Sequence, residues 1–227
     1  PMLVSVIVPA LNEAGTIERT LQAVHSLSDP KEIVVVDGGS ADATAARAAP
    51  YAMVLTAPQG RAIQMNYGAR AATGDAFWFL HADTRPPSDA LHTIRTKLRH
   101  PDVESGLFQL AFDDDAPLLR FYSWCTRWPW IRLAFGDRGL FTTRAAFEAV
   151  GGFPEWPVFE DLELADRLYR RGTFHFLPQA VTTSARRFRR YGLVHQQLRN
   201  LYLWTHYIIG TDPEHVAHRY SYTSETD

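Results

Sequence analysis

The chain has 227 residues, of which 46% are hydrophobic and 21% charged, a globular composition that excludes disorder as the main state. Its formal net charge of −2 argues against a dedicated nucleic-acid-binding protein, because such proteins usually carry a basic surface. A single cysteine, Cys125, excludes an intrachain disulfide framework and indicates a reducing compartment, so we expect a cytoplasmic protein. No apolar run reaches the roughly 18 residues of a membrane-spanning helix, and no basic-then-apolar signal peptide is evident.

The first hundred residues alternate between strand and helix patterns. Four continuous apolar runs predict strands that are buried on both faces, as in a parallel sheet. In the first helical pattern Ile17, Leu21 and Val24 share one face. The alternation predicts an α/β fold with a doubly wound, mostly parallel sheet and flanking helices. The predicted strands are 3–8, 32–36, 52–55 and 76–80, and the later predicted helices are 40–49, 60–72 and 88–98.

After residue 100 the pattern is less regular. Residues 105–112 alternate and predict a strand, after which Asp113, Asp114 and Asp115 predict a solvated turn. A helix is predicted over 117–133 with a break at Pro129, then a strand over 139–142 and helices over 144–150, 159–171 and 193–209. No linker or repeat interrupts the chain. We therefore expect a single domain over 1–227 with two functional halves.

Acidic residues follow three of the predicted strands. Glu13, Asp37 and Asp83 come where the first, second and fourth strands end, the edge at which open α/β sheets bind ligands. Alone, Asp37 could hold a turn before Gly38, and Asp83 could cap a helix ahead of Pro86. The glycine-rich loops of dinucleotide-binding and P-loop proteins are missing, as are a hydrolase elbow and zinc-ligand spacing. A site that has carboxylates but no glycine-rich phosphate-binding loop is suited to a divalent cation. Mg²⁺ or Mn²⁺ would bind through one or two of the carboxylates and through phosphate oxygens of the ligand.

A second acidic pair, Glu160 and Asp161, opens the helix predicted over 159–171. Helical spacing predicts that Asp161 shares the apolar face of Ala165 and Leu168, and that Glu160 points away from it. A carboxylate at the head of an apolar stripe is either a buried cap or a general base whose pKa burial raises. The basic run 186–190 is either a solvated loop or a phosphate-binding segment, because arginine forks match phosphate oxygens.

Two aromatic stretches have more than one interpretation. Trp124, Trp128 and Trp130 are predicted to pack in the core, with an acceptor platform or lipid contact as the alternatives. The helix over 193–209 could pack on the core, form a homodimer or lie on a membrane surface. Because Arg199 is its only Lys or Arg, core packing or a homodimer is favoured, and peripheral contact with the inner membrane stays open.

The chain resembles family 2 glycosyltransferases of the GT-A fold over nearly its full length. Four motifs carry the resemblance, in family order and at family-like spacing: VIVPALNE at 6–13, VVDGGSAD at 35–42, HAD at 81–83 and FED at 159–161. The stretches at 136–141 and 151–154 narrow it to a small bacterial subgroup of stand-alone enzymes in which the metal motif is often His-Ala-Asp.

The resemblance implies an inverting glycosyltransferase that takes a sugar from a nucleotide diphosphate sugar, with uridine as the expected nucleoside. The acceptor is a hydroxyl or phosphate that the sequence does not identify. Asp161, with Glu160 beside it, is the implied general base. Asp83, with His81, is the implied ligand of a divalent metal, Mn²⁺ or Mg²⁺, on the diphosphate.

The remaining implied roles divide between the two halves of the chain. The nucleotide-binding half, about 1–100, has Asp42 supporting the nucleotide loop, and the acceptor and catalytic half is about 101–227. Residues implied to contact the diphosphate or the acceptor are Asp137, Arg138, Arg186 and Arg187. Nucleotide-binding residues implied are Pro9, Ala10, Asn12, Glu13, Asp37, Gly38, Gly39, Arg61, Asn66 and Ala82.

Two other classes of function stay open. A non-catalytic nucleotide-sugar-binding protein or partner subunit would use the same strand-end residues. A nucleotidyltransferase would normally carry a glycine-rich basic loop after the first strand, and residues 10–15 contain no Lys or Arg.

Overall fold

A computed structural model describes residues 2–131, 138–172, 174–214 and 216. Its first half alternates strands and helices, as the apolar runs predict. The continuous apolar runs become strands because their β-branched side chains are buried on both faces of the sheet. The elements are β1 (Val4–Ala10), α1 (Ile17–His25), β2 (Lys31–Asp37), α2 (Thr44–Ala48), β3 (Met53–Thr56), α3 (Arg61–Ala71) and β4 (Ala76–Phe79).

The second half adds shorter elements around the carboxyl edge of these strands. The helix predicted over 117–133 ends at Cys125, before the break predicted at Pro129. There the Thr126 hydroxyl accepts from the Leu110 N–H at 3.0 Å and donates to the Ser123 carbonyl at 2.7 Å, while residues 132 and 133 lie outside the described residues. The elements are β5 (Thr84–Arg85), α4 (Ala90–Leu98), β6 (Ser105–Phe112), α5 (Pro117–Cys125), β7 (Phe141–Thr143), α6 (Arg144–Ala149), α7 (Glu160–Arg170), β8 (Phe174–Thr183), α8 (Arg186–Tyr191) and α9 (Leu193–Ile208).

One eight-stranded sheet takes strands from both halves, in the order β3-β2-β1-β4-β7-β6-β8-β5. The pairs β1–β2, β1–β4 and β2–β3 are parallel, as predicted, and β6–β8 is parallel as well. The pairs of β7 with β4 and β6, and of β5 with β8, are antiparallel. Because β1, β2 and β4 run the same way, the residues that follow them lie at one edge of the sheet.

Apolar side chains cover both faces of the sheet. Along β1, Val6 and Val8 pack into one core cluster with Trp78, whereas Ile7 packs into a second cluster with Phe77. This alternation is the consequence of the two-residue period of a strand, and it fixes the register of the parallel strands. Within the described ranges, no helix combines the length and apolar character that crossing a bilayer requires.

Candidate functional site

The loops that follow β1 and β2 are clasped together by hydrogen bonds from backbone to side chains. The Asn12 N–H donates to Ser40 Oγ at 2.9 Å, and Asn12 Oδ1 accepts from the Ala41 N–H at 2.9 Å. The Glu13 N–H donates to Thr44 Oγ1 at 2.8 Å. Asn12 adopts a positive φ of 52°, a conformation that asparagine tolerates better than most residues. The two loops therefore form one unit at the carboxyl edge of the sheet.

Asp42 adds a further contact between the same loops. Its carboxylate accepts hydrogen bonds from the Ala14 N–H at 3.1 Å and the Thr44 N–H at 2.9 Å. Burial acts to raise the pKa of Asp42, but the hydrogen bonds from Thr44 and Ala14 and the charge of Arg47 outweigh it, so the pKa lies below its usual value. These contacts fit the supporting role that the resemblance implies.

Asp37 is buried where β2 ends. Its Oδ2 accepts hydrogen bonds from the Gly39 N–H at 3.2 Å and the Ser40 N–H at 3.0 Å. These bonds confirm the turn-holding interpretation. A second role of Asp37 toward a nucleotide stays a prediction.

The buried amide of Gln64 ties the ends of β1 and β2 together. Its Nε2 donates to the Ala10 carbonyl at 2.9 Å and to the Val36 carbonyl at 2.7 Å. A Cβ at Gly38 would lie 3.2 Å from the Gln64 side chain, so the glycine allows this close approach. Sequence reasoning missed Gln64, because a polar residue on a helix gives no sign of which strands it will reach.

Arg186 lies between the acids of two strand ends. Its Nη2 pairs with the Glu13 carboxylate, and its Nε lies 4.0 Å from Asp83 Oδ2. Both acidic side chains are less than one-fifth exposed, at 15% and 18%. The solvated-loop interpretation is therefore wrong for Arg186, which belongs to α8. The helix-cap interpretation of Asp83 is wrong as well, because β5 follows it directly and α4 begins only at Ala90.

His81 and Asp83 flank the buried Ala82 after β4. In the part of the chain that the structure describes, no three or more His, Cys, Asp or Glu side chains come together as a metal-binding group. An imidazole and a carboxylate form a sparse donor set, which leaves most positions to other ligands. Mg²⁺ and similar ions commonly bind through one or two carboxylates plus phosphate oxygens and water. This donor set therefore fits a cation that arrives with a diphosphate.

The orientation predicted for Glu160 is wrong, because its side chain does not point away from the buried side of α7. Glu160 is 1% exposed, whereas Asp161 is half-buried. Glu160 aligns with Leu164 and Leu168, one and two turns along α7, and so lies on the buried stripe. Arg61 Nε lies 2.7 Å from Glu160 Oε1, as an ion pair without hydrogen-bond alignment. The buried carboxylate thus gains a compensating charge from a helix that is distant in sequence.

A cavity of about 160 Å³ lies beside Asp161. Its polar lining includes Arg61, Glu160 and Arg187, and its apolar lining includes Phe112 and Leu203. Phe159, immediately before the acidic pair, has a φ of +69°, which is rare and strained for a bulky residue. Such strain accumulates at functional sites, and here it sets the direction in which α7 starts.

Asp113 anchors α8 against the end of β6. Its Oδ1 accepts a hydrogen bond from the Ala185 N–H at 2.7 Å and lies 3.4 Å from Arg189 Nη1. Burial acts to raise the pKa of Asp113, but these two partners outweigh it and hold the pKa below its usual value. The prediction that Asp113 lies in a solvated turn is therefore wrong. Its side chain instead binds the start of α8, the helix that carries Arg186 and Arg187.

Two residues with expected ligand roles, Asn66 and Arg138, are not brought to the open edge. Both ends of the Asn66 amide bind the main chain of Phe153, at 2.8 and 3.0 Å. Arg138 is 1% exposed and donates to the Phe108 carbonyl at 2.9 Å and the Thr126 carbonyl at 3.0 Å. Burial lowers the pKa of Arg138 to about 10, with a smaller opposing effect from Tyr122.

A further residue with an expected ligand role, Asp137, lies outside the described residues. The ligand roles of all three stay predictions.

Comparison with known proteins identifies a family and several relatives. Residues 5–151 match the family described as glycosyl transferase family 2. The probable glycosyltransferase YdaM of Bacillus subtilis (strain 168) is 29% identical over 209 residues, which cover 79% of this chain and 50% of that protein. Glycosyltransferase AglE of Haloferax volcanii is 35% identical over 94 residues, covering 37% of this chain and 31% of that protein. The chain thus spans half or less of the length of these curated relatives.

Solved structures share the fold. The mannosyltransferase PcManGT from Pyrobaculum calidifontis, in complex with GDP-Man and Mn²⁺, has a TM-score of 0.63 and 24% identity and covers 79% of this chain and 56% of that one. Residues 1–349 of S. aureus TarS, in complex with UDP-GlcNAc, have a TM-score of 0.64 and 18% identity, with coverages of 81% and 58%. At such identities the likeness shows the fold alone. It confirms the predicted α/β architecture of GT-A type.

Proposed function

Since the chain belongs to glycosyl transferase family 2, we propose that it transfers a sugar from a nucleotide diphosphate sugar to an acceptor hydroxyl or phosphate. One observation carries the proposal: α8 connects two acidic sites. Arg186 contacts the strand-end acids Glu13 and Asp83, and the adjacent Arg187 lines the cavity of Asp161. A nucleotide diphosphate sugar bound between these two sites would have its diphosphate, which belongs to the leaving group, beside the arginines. Its sugar would then lie toward Asp161.

The donor nucleotide binds, in this proposal, on the clasped loops at the ends of β1 and β2. Similar folds in complex with GDP-Man and with UDP-GlcNAc support a nucleotide-sugar donor. A uridine nucleotide is our choice because the resemblance to the family implies it, and the similar fold in complex with UDP-GlcNAc is in keeping with that choice. The proposed contacts come from Pro9, Ala10, Asn12, Glu13, Asp37, Gly38, Gly39, Arg61 and Ala82.

Asp83 and His81 are the residues that would hold a divalent metal, Mn²⁺ or Mg²⁺. When bound, such an ion supplies charge that neutralises the leaving diphosphate. The Mn²⁺ in the PcManGT complex supports a divalent metal as a cofactor. Arg186 adds a fixed positive charge at the same place, and its guanidinium can bind phosphate oxygens in a bidentate manner.

Asp161 takes the proton of the acceptor hydroxyl in the proposed reaction. Its neighbour Glu160 is held by Arg61, which fixes the first turn of α7 and so the position of the base. A base on the acceptor and an anionic leaving group on the donor are sufficient for direct displacement. Direct displacement inverts the configuration at the anomeric carbon.

Release of free nucleotide from a panel of UDP-, GDP- and dTDP-sugars tests the proposal. We expect turnover with one nucleotide class, and in Asp161→Asn a loss of about 100-fold or more in kcat with little change in nucleotide affinity. Asp166→Asn is the matched control, because Asp166 is also half-buried on α7 but pairs with Arg170. Nucleotide binding without turnover would instead identify a non-catalytic binding protein, and equal turnover in the two variants would exclude Asp161 as the base.

A further inference from the structure

Four aromatic side chains form an exposed row at and after the end of α5. Phe121, Trp124, Trp128 and Trp130 are 47–63% exposed, and successive ring centroids lie 6.0, 6.1 and 6.3 Å apart. We call them the aromatic ladder. The core-packing prediction for these tryptophans is wrong. Exposed, contiguous aromatic surface of this kind marks an interaction site more often than plain protein surface does.

Helix α9 adds a second exposed apolar surface. Val194, Leu198 and Leu201 of this helix and Ile209, directly after its end, are each at least half exposed. The spacing from Val194 to Leu198 and Leu201 is that of one helix face. An apolar face turned toward solvent is typical of helices that lie on a lipid surface or against a partner.

The helices that carry these two surfaces also line the cavity of Asp161. Tyr122 of α5, Phe188 of α8 and Leu203 of α9 all line that cavity. The three helices therefore gather around its walls, and the exposed residues of α5 and α9 belong to the same part of the molecule.

The charge of this region differs from that of the whole chain. Residues 116–131 and 184–211 contain seven of the chain's 23 Lys and Arg residues and none of its 25 Asp and Glu residues, although the net charge is −2. Two of the seven, Arg186 and Arg189, pair with acids of neighbouring segments, so the positive charge of the surface rests on the other five. Arg120, Arg127 and Arg190 are exposed among them. In a symmetric dimer through this surface, two equally cationic patches would meet, which is unfavourable. An anionic surface is the complementary partner.

We propose that the aromatic ladder, α8 and α9 form a docking surface for an anionic lipid bilayer. Tryptophan rings suit the headgroup region because they are apolar with one polar edge, and arginines add attraction to anionic lipids. Helix α9 alone carries too little charge for this role, but α5 and α8 supply it. If the proposed transferase function holds, docking brings the cavity of Asp161 to the membrane, where an amphiphilic acceptor would be available.

Flotation with vesicles tests the docking surface, using phosphatidylcholine alone or mixed in equal parts with phosphatidylglycerol. We expect binding to the mixed vesicles only, weakened by salt, and about tenfold weaker in Trp124→Ser/Trp128→Ser and in Arg127→Gln/Arg190→Gln. Met53→Ser and Arg99→Gln are matched controls, because both residues are exposed outside the surface. In the wild type, brominated lipids should quench tryptophan fluorescence.

Three results would overturn the proposal: no flotation with the mixed vesicles, equal flotation with both vesicle types, or equal binding by the docking and control variants. A lipid-independent dimer that the same substitutions dissociate would assign the surface to a second copy instead. UDP titration of each variant in the absence of lipid is measured in parallel. A variant that binds UDP but no longer floats with vesicles is impaired in membrane docking alone. If the wild type itself does not bind UDP, the proposed function fails, and the docking result is unaffected.

Discussion

Replacing Arg61 with Met removes the positive charge beside the most deeply buried acid of the site and keeps most of the side-chain volume. The Glu160 side chain is 2% exposed and that of Arg61 is 35% exposed. Removing one partner of a buried ion pair typically costs about 3–5 kcal/mol, because the remaining charge is left uncompensated. Since water reaches Arg61, we expect about 3 kcal/mol, the low end of that range. For a domain of this size that lowers Tm by roughly 6–12 °C.

Urea unfolding followed by far-UV circular dichroism measures this loss, provided that the m-value is unchanged. The double variant Arg61→Met/Glu160→Gln tests the cause, because it removes the buried charge together with its partner. We expect the double variant to recover at least half of the loss. Arg70→Met is the control on the same helix, where an exposed arginine should contribute less than about 0.5 kcal/mol. A loss below about 1 kcal/mol in Arg61→Met, or a double variant no more stable than the single one, would refute the reasoning.

Two further predictions concern Asp42 and Arg138. The pKa of Asp42 is lower in the folded state than in the unfolded chain, so the ionised carboxylate stabilises the fold. This stabilisation is fully present above the unfolded-state pKa of Asp42 and is lost as the pH falls through its folded-state pKa. The Tm difference between the wild type and Asp42→Asn should therefore be largest at neutral pH, begin to shrink near the unfolded pKa of about 4, and vanish only below the lower folded-state pKa in a thermal scan series; a constant difference would contradict this. Arg138→Met leaves the Phe108 and Thr126 carbonyls without their donor, so urea unfolding should show a loss of about 2–4 kcal/mol with UDP affinity unchanged. Selective loss of UDP affinity would restore a ligand role for Arg138.

The parallel half of the sheet could be predicted because its evidence is local. Four apolar runs predict strands, and the acids that follow them must meet at one edge once the strands are parallel. Glu13 and Asp83 are brought together there by Arg186. The sequence motifs at these strand ends indicated the glycosyltransferase family, and the match of residues 5–151 to the family model confirms it.

The orientation of the acidic pair could not be predicted from the sequence. Adjacent residues at the start of a helix differ by about 100° in direction, so either can be buried. The choice depends on Arg61, which lies 99 positions away and pairs with Glu160. The position of helix α8 could not be predicted either, because its contacts with Asp113 and Glu13 come from distant parts of the chain.

The exposure of the aromatic ladder could not be predicted from the sequence, for a different reason. Trp124, Trp128 and Trp130 have the composition of a core, and composition alone cannot separate a core face from an exposed interaction face. Only the packing of α5 against β6 decides which rings are covered: Tyr122 reaches Phe112 at a ring distance of 6.0 Å, while the tryptophans do not turn inward. The distinction is therefore one of tertiary structure.

Calorimetric titration of UDP with and without Mn²⁺ tests the central claim most directly. The wild type, Asp83→Asn and the surface control Asp102→Asn should be compared under the same conditions. We predict UDP binding that requires Mn²⁺ in the wild type and the control and that is lost in Asp83→Asn. Absence of binding by UDP, GDP and dTDP, or Mn²⁺-dependent binding that persists in Asp83→Asn, would contradict a nucleotide diphosphate site at the strand ends.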